Sequence, residues 1–174
     1  MIQKITKNTP QEYIEEINTV CKKCGNCCSQ GSGFVLKKEV DKIAKHLELS
    51  EEEVKTKFLT EVEFFNTKQF RLKMNIPKDS IRPHGNCVFL RADHCSIQDA
   101  KPLHCRISNC NEFGDEVQTW FLVNFFLNPN DPESIRQYSS FLKTGGRLLK
   151  GAELEKLVPD KETLKKILDF ERIK

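Results

Sequence analysis

The 174-residue sequence has no apolar run long enough to cross a membrane as a helix. Such a helix needs about 20 mostly apolar residues, whereas the longest apolar run, WFLVNFFL (Trp120–Leu127), is interrupted by Asn124. The run therefore predicts a buried element, packed in the core of the domain rather than against another subunit. We expect no association with membranes.

We also expect no secretory signal. The N-terminal sequence MIQKITKNTPQEYIEEINTV has neither an apolar segment nor a cleavage site of small residues. We therefore expect a cytoplasmic protein, in surroundings that keep thiols reduced. The sequence contains no internal repeat, no low-complexity linker and no glycine-rich cofactor loop after a clear strand. The formal net charge of +3 is too small to indicate a nucleic-acid-binding protein.

The composition is that of a globular protein with a heavily charged surface, because 38% of the residues are hydrophobic and 30% are charged. A chain of this length can form a compact domain with its own core. We expect an α+β fold. Residues 1–114 would form a small cysteine-rich metal-binding domain with short β-hairpins and flanking helices, and residues 115–174 a helical segment packed on it.

Five segments have the periodicity or the end signals of helices. They are PQEYIEEINTV, which leads into the first cysteine, KKEVDKIAKHLEL, SEEEVKTKFL, DPESIRQYSSFLK and DKETLKKILDFERI. In the third, Ser50 and Glu53 have the spacing of a capping box. In the fourth, Asp131 is the expected N-cap before Pro132, and the glycines Gly145–Gly146 end the helix. The last helix would place Leu164, Ile167 and Leu168 on one stripe, with Phe170 at its edge.

Two segments indicate β-hairpins. EVEFFN and QFRLKMNI alternate in polarity on either side of NTKQ, which we interpret as the turn. CVFLRADHCSI is a second candidate, with RADH as its turn.

Eight cysteines are the chemical signal of this sequence. In a reducing environment they indicate metal ligands rather than disulfides. Two residues between cysteines allow one turn of backbone to direct both thiolates at one ion. The candidate metal ligands are Cys21, Cys24, Cys27 and Cys28 in CKKCGNCC, and Cys87, Cys95, Cys105 and Cys110 in CVFLRADHCSIQDAKPLHCRISNC.

The first cysteine group allows two geometries. If CKKCGNCC is helical, Cys21, Cys24 and Cys28 fall on one arc and Cys27 lies outside it. If the chain turns at Gly25, Cys21, Cys24 and Cys27 have the C-x2-C-x2-C spacing that begins a bacterial ferredoxin cluster site. We expect a positive φ at Gly25, as in a metal-binding knuckle.

Two metals are consistent with these cysteines. The C-x2-C-G knuckle and the lack of a complete ferredoxin motif favour zinc, whereas the C-x2-C-x2-C spacing favours an iron-sulfur cluster. We lean towards a 4Fe-4S cluster. Adjacent Cys27 and Cys28 are poorly placed to bind the same ion, so either one is spare or there are two centres. Cys110 could also be a buried or free thiol.

Histidines and cations accompany the cysteines. His84, His94 or His104 could replace a cysteine ligand, but we expect surface or hydrogen-bonding roles for them, and a helix C-terminal charge at His46. We expect the nearby cations to offset thiolate charge and donate hydrogen bonds. These are Lys22, Lys23, Arg82, Arg91, Lys101 and Arg106.

CKKCGNCC, VLKKEVDKIAKHLELSEEEVKTKFL and GNCVFLRADHCSIQDAKPLHCR together resemble the CxxCxxCC cysteine-cluster family, YkgJ-like proteins described as zinc- or iron-chelating. The resemblance covers about residues 20–110. It implies metal ligation by Cys21, Cys24, Cys27, Cys28, Cys87, Cys95 and Cys105. Where the family has Arg-Pro-x-x-Cys-Arg followed by Phe-Pro, this sequence has KPLHCRISNC, with Lys101 in place of Arg and with the additional Cys110.

The leading functional hypothesis is a metal-binding protein with an iron-sulfur cluster or zinc and a possible redox or cluster-dependent role. One alternative is a structural zinc module that binds a protein or RNA through Lys22, Lys23, Arg91 and Arg106. A flagellin lysine methylase has a similar cluster, which implies a third hypothesis, a protein-modifying enzyme. About 60 residues after Cys110 are too few for a separate S-adenosylmethionine domain, and we assign no catalytic residue.

Overall fold

The computed structural model describes residues 4–18, 24–81, 85–92, 94–108, 113–146 and 160–168. In these residues α-helices combine with small antiparallel sheets, which confirms the expected α+β class. The helices are α1 (Gln11–Ile17), α2 (Asn26–Ser29), α3 (Val40–Leu47), α4 (Glu51–Phe58), α5 (Leu103–Ile107), α6 (Gly114–Phe125), α7 (Pro132–Lys143) and α8 (Lys161–Leu168). The strands are β1 (Phe34–Val35), β2 (Leu59–Phe64), β3 (Thr67–Leu72), β4 (Met74–Asn75), β5 (Asn86–Cys87), β6 (Leu90–Arg91) and β7 (His94–Cys95).

The largest sheet has the strand order β1-β3-β2, and all its pairs are antiparallel. The β2–β3 hairpin was predicted, but its predicted turn, NTKQ, is wrong. The turn is formed by Phe65 and Asn66, with φ of 49° and 58°, as in a two-residue type I′ turn. Asn66 donates hydrogen bonds to Gln137 (3.1 Å) and Asp131 (2.8 Å). These distant partners hold a turn that begins at Phe65, one residue before the predicted turn. Thr67 therefore already belongs to β3, where it pairs with Phe64.

The second predicted hairpin is present but shorter. Leu90 pairs with Cys95 and Arg91 with His94, so the turn is narrower than RADH. Cys87 belongs to a different sheet, where it pairs with Met74 on β4. Two cysteines that are close in sequence are therefore held by separate sheets.

The helices with local end signals lie where they were predicted. The Ser50 hydroxyl accepts a hydrogen bond from the Glu53 backbone, and the Glu53 carboxylate accepts one from the Ser50 backbone. The Asp131 side chain caps α7 by accepting from the Glu133 backbone. The helix α1 ends at Ile17, before the first cysteine. The residues of the predicted stripe on α8 have side chains outside the described part, and Phe170 lies outside it entirely.

The core consists of two clusters that meet at β1. Successive residues of a strand face opposite sides, and Phe34 packs in the first cluster while Val35 packs in the second. The first cluster includes Trp120, Phe121 and Phe126, so the prediction that the WFLVNFFL run lies in the core is confirmed. Among the described helices, none is long and apolar enough to span a bilayer.

Candidate metal centre

The first cysteine group is interrupted at Gly25. This glycine has φ 70° and ψ −7°, a left-handed conformation, and α2 begins at the next residue, Asn26. The expectation of a positive φ at Gly25 is confirmed. A continuous helix through CKKCGNCC is excluded, because its backbone would need a negative φ here. The turned geometry is therefore the one that this structure supports, with Cys24 before the turn and Cys27 and Cys28 on α2.

Cysteines from both halves of the pattern line one cavity of about 180 Å³. Two come from α2, and the others come from β5, β7 and α5, which follow much later in the chain than α2. The five residues are Cys27, Cys28, Cys87, Cys95 and Cys105. Cys24 is exposed and does not line the cavity. Cys21 and Cys110 lie outside the described residues.

Gly33 is the residue that allows Cys105 to reach this position. A Cβ atom on Gly33 would lie 2.1 Å from Cys105 Sγ and 3.2 Å from His104 Nδ1. The backbone of Gly33 is fixed, since its carbonyl accepts a hydrogen bond of 3.0 Å from the amide of Leu72. No side chain fits between this segment and the thiol. Sequence analysis did not identify Gly33, because its closeness to Cys105 depends on packing.

The thiols of the cavity differ in their acidity. Burial raises the pKa of Cys87 and of Cys105, and the neighbouring cysteines raise each of them further. Cys27 Sγ lies 3.9 Å from Cys28 Sγ. A hydrogen bond from Cys28 lowers the pKa of Cys27 to about 6, and the pKa of Cys28 rises correspondingly. Buried thiols are therefore held in the neutral form unless a cation replaces their protons.

Lys101 and Arg71 also line the cavity. The charge of Lys101 acts to lower the pKa of both Cys27 and Cys105, in agreement with the predicted role of the cations near the cysteines. Arg71 is distant in sequence from every cysteine and was not among the predicted residues. The sheet brings it there, because Arg71 on β3 pairs with Phe34 on β1.

Two of the other predicted cations have hydrogen-bond or ion-pair partners away from the cavity. Arg91 Nη1 donates to the carbonyl groups of Val88 and Leu90, and Arg106 forms an ion pair with Glu15. Neither lines the cavity. Lys22, Lys23 and Arg82 lie outside the described residues.

His104 lines the cavity and has the hydrogen-bonding role that was predicted. Its Nε2 atom lies 2.9 Å from Gln118 Oε1. The ring packs edge-on against Phe34 and Phe121, with centroids 4.9 and 4.8 Å away. Burial lowers the pKa of His104 to about 4, so the imidazole is neutral at physiological pH. His94 is exposed on β7, His46 contacts the Ser96 carbonyl from the last turn of α3, and His84 lies outside the described residues.

The five thiols line a cavity but do not converge on the position of a single ion. Among the described residues, no three His, Cys, Asp or Glu side chains lie close enough together to hold one metal ion. The cavity has a volume of about 180 Å³, enough for several water molecules. A zinc ion with four thiolates about 2.3 Å away fills much less space. Thiolates are nevertheless the ligands that zinc and iron-sulfur clusters prefer, so the donor set fits both.

Thiols from separate elements of a small α+β fold, facing one cavity, define a cysteine-rich protein of the metal-chelating class. The chain belongs to the CxxCxxCC family, whose description is "Putative zinc- or iron-chelating domain" and whose model matches residues 20–123. The match includes both cysteine groups and extends into α6. It confirms the family that the sequence resembles, and the description supports binding of zinc or iron. Neither the curated proteins nor the solved structures gave a match.

Proposed function

We propose that this chain holds a metal centre in its cysteine-lined cavity, with an iron-sulfur cluster favoured over zinc and with a redox or cluster-dependent role. The observation that carries the proposal is the convergence of five cysteines from α2, β5, β7 and α5 on one cavity. Membership of a family described as zinc- or iron-chelating gives independent support.

Two features favour the cluster. Cys21, Cys24 and Cys27 have the sequence spacing of a ferredoxin site, and the turn at Gly25 excludes the continuous helix that would separate Cys27 from the other two, although Cys24 does not line the cavity. The size of the cavity also suits a group larger than one ion. Cys27, Cys28, Cys87, Cys95 and Cys105 are the proposed ligands in the cavity. Cys21, Cys24 and Cys110 complete the proposed set of eight, which is enough for two four-thiolate centres.

When bound, a 4Fe-4S cluster would supply one-electron transfer at this site. The residues of the chain have separate tasks around it. The thiols of Cys87 and Cys105 would lose their protons and bind the metal as thiolates, and the metal would offset the cost of burying these negative charges. Lys101 offsets negative charge near Cys27 and Cys105, and the neutral His104 leaves the local charge unchanged.

Zinc is the second candidate, and one distance favours it, against the expectation that Cys27 and Cys28 do not bind the same ion. Tetrahedral zinc with thiolates at about 2.3 Å places neighbouring sulfur atoms about 3.8 Å apart, close to the 3.9 Å between the sulfurs of Cys27 and Cys28. Zinc would make the protein a structural module with a protein or RNA partner. Of the basic residues proposed to bind such a partner, Arg106 is already paired with Glu15. Binding of a protein or RNA partner is therefore the weaker proposal.

The deciding experiment is elemental analysis of protein purified without oxygen, together with acid-labile sulfide and an absorption spectrum of the same sample. Iron and sulfide near stoichiometry, with a broad absorption near roughly 400 nm, are the expected result. Zinc in a colourless sample would show that the site is a structural zinc site and not an iron-sulfur cluster. A full-length, folded protein with neither metal would refute the proposal.

Substitutions test which cysteines are ligands. We expect Cys87→Ser and Cys105→Ser to lose most of the metal and to lower the melting temperature of the metal-loaded protein, because binding free energy is lost from the folded state. Cys24→Ser and Cys110→Ser determine whether these two cysteines belong to the set. Metal content at the wild-type level in both Cys87→Ser and Cys105→Ser would contradict the shared site.

A further inference from the structure

Arg71 presents a fixed guanidinium to the cysteine cavity. Its side chain is half-buried and lines the cavity. Arg71 Nε donates to both the carbonyl and the hydroxyl oxygen of Ser32, at 3.2 Å each. The central carbon of the guanidinium lies 5.7 Å from the centroid of the Phe34 ring. Because Phe34 is also the β-sheet partner of Arg71, the backbone and the side chain are held by the same short segment.

The two terminal nitrogens of Arg71 have no acceptor in the described part of the chain. The hydrogen bonds of this side chain there come from Nε alone, and no carboxylate lies within ion-pair distance. Other arginines have such partners, as Arg106 has Glu15 and Arg136 has Glu133. No fully buried side-chain nitrogen or oxygen among the described residues lacks a hydrogen bond, so the terminal nitrogens of Arg71 are not completely enclosed. Because Arg71 lines the cavity, a ligand in the cavity can reach them.

Arg71 and the five thiols line the same cavity. The neighbouring backbone also leaves space, because Gly31 lines the cavity without a side chain and a Cβ there would lie 3.8 Å from Arg71 Nη2. A preformed cation beside open space is typical of a position that a ligand completes.

We propose that Arg71 is the binding group for an oxyanion, a carboxylate or a phosphate group, in the cysteine cavity. The planar guanidinium can donate two parallel N–H hydrogen bonds to either anion. The cavity has a volume of about 180 Å³, which admits either a small free anion or the anionic end of a larger molecule. Arg71, Ser32 and Phe34 are not proposed metal ligands, and the inference therefore goes beyond the proposed function.

The test is calorimetric titration of the full chain, metal-free and metal-loaded, with sodium phosphate and sodium acetate at constant ionic strength. We expect saturable binding of at least one anion, and the preferred anion identifies which oxyanion the site takes. Arg71→Gln should weaken this binding at least tenfold. Arg71→Lys keeps the charge but not the two parallel N–H donors of the guanidinium, and it should weaken binding less. Arg136→Gln is the matched control, because Arg136 on α7 is paired with Glu133 and does not line the cavity, and it should bind like the wild type.

Three results would overturn the inference: no saturable binding of either anion, equal binding by the wild type and Arg71→Gln, or loss of binding in Arg136→Gln as well. Metal analysis of the same samples separates the two proposals. If the wild type holds no metal but binds the anion through Arg71, the proposed function fails and the oxyanion site stands. If Arg71→Gln loses metal while the wild type binds no anion, the guanidinium serves the metal centre and the oxyanion site is refuted.

Discussion

At the residue scale, Gly33 decides whether Cys105 can face the cavity. A methyl group on Gly33 would overlap Cys105 Sγ, since the two would be 2.1 Å apart. We expect Gly33→Ala to displace the thiol, to reduce metal content and to lower the free energy of unfolding by about 1–3 kcal/mol, the usual cost of overpacking. Elemental analysis and urea unfolding measure the two effects.

Gly114→Ala is the matched control for this substitution. Gly114 is the first residue of α6, and a Cβ there would meet nothing within 4 Å. Alanine should leave metal content unchanged and could stabilise the helix by up to about 1 kcal/mol. If Gly33→Ala kept both its metal and its stability as this control does, the close approach of Gly33 and Cys105 would not matter for the site.

At the scale of elements, Glu39 connects the 3₁₀ turn at Lys37–Glu39 to α5, the helix that carries Cys105. One carboxylate oxygen accepts from the Leu36 amide (3.0 Å) and the other from the Leu103 amide (2.7 Å). The second contact places a negative charge at the start of α5, where it is favourable. The sequence gives no sign of this link, because Leu103 is 64 residues away.

We expect Glu39→Gln to lower the free energy of unfolding by about 1–2 kcal/mol, since a hydrogen bond to a charged group is replaced by a neutral one. Metal affinity should fall as well, because α5 positions Cys105. Urea unfolding of the metal-free protein and competition with a chelator measure these effects. Glu12→Gln, at an exposed position of α1, is the control. Unchanged metal affinity in Glu39→Gln would show that the link does not support the site.

The capping box of α4 predicts a dependence of stability on pH. Hydrogen bonds from Ser50, together with the nearby Lys57, lower the pKa of Glu53 from 4.5 to about 2. A carboxyl whose folded pKa is lowered stabilises the protein above its unfolded pKa, and this contribution is lost as the pH falls from 4.5 to about 2.

Glu53→Gln, which cannot ionise, should therefore destabilise the protein at neutral pH, and the difference from the wild type should shrink as the pH falls through this range. Urea unfolding at several pH values measures it. A difference that stays constant down to pH 2 would contradict the contribution of the capping box.

At the scale of the molecule, α6 couples the C-terminal segment to the cavity. Phe121 is fully buried, stacks on Phe34 with ring centroids 6.2 Å apart and contacts His104. We expect Phe121→Ala to cost about 3–5 kcal/mol and to reduce metal content, since Phe34 and His104 adjoin the cysteines. The exposed Leu142→Ala on α7 should change stability by less than about 0.5 kcal/mol.

Urea unfolding of the metal-loaded protein also tests the proposed division at residue 114. Val117, Trp120 and Phe121 share a core cluster with Ile14 and Phe34, so we expect helical signal and bound metal to be lost in one urea transition. Two separate transitions would mean that residues 1–114 and the segment after them unfold independently.

Local sequence signals predicted the parts of the fold that depend on neighbours in the chain. Ser50 and Glu53 are three residues apart and cap α4 as expected, and Gly25 adopts the left-handed conformation that a glycine favours. The turn at Phe65–Asn66 was misplaced, since the partners of Asn66 are 65 and 71 residues away. Polarity alone does not reveal such partners.

The sequence by itself determined the α+β class, the family and the cysteines that are candidate ligands, because composition, periodicity and spacing are properties of the linear chain. Only the tertiary structure decided which thiols share a cavity, that Gly33 admits Cys105 and that Arg71 stands beside them. The reason is physical. These contacts arise where β1 pairs with β3 and where α5 packs against β1. The burial of apolar surface in the whole core offsets the conformational entropy lost in closing such long loops.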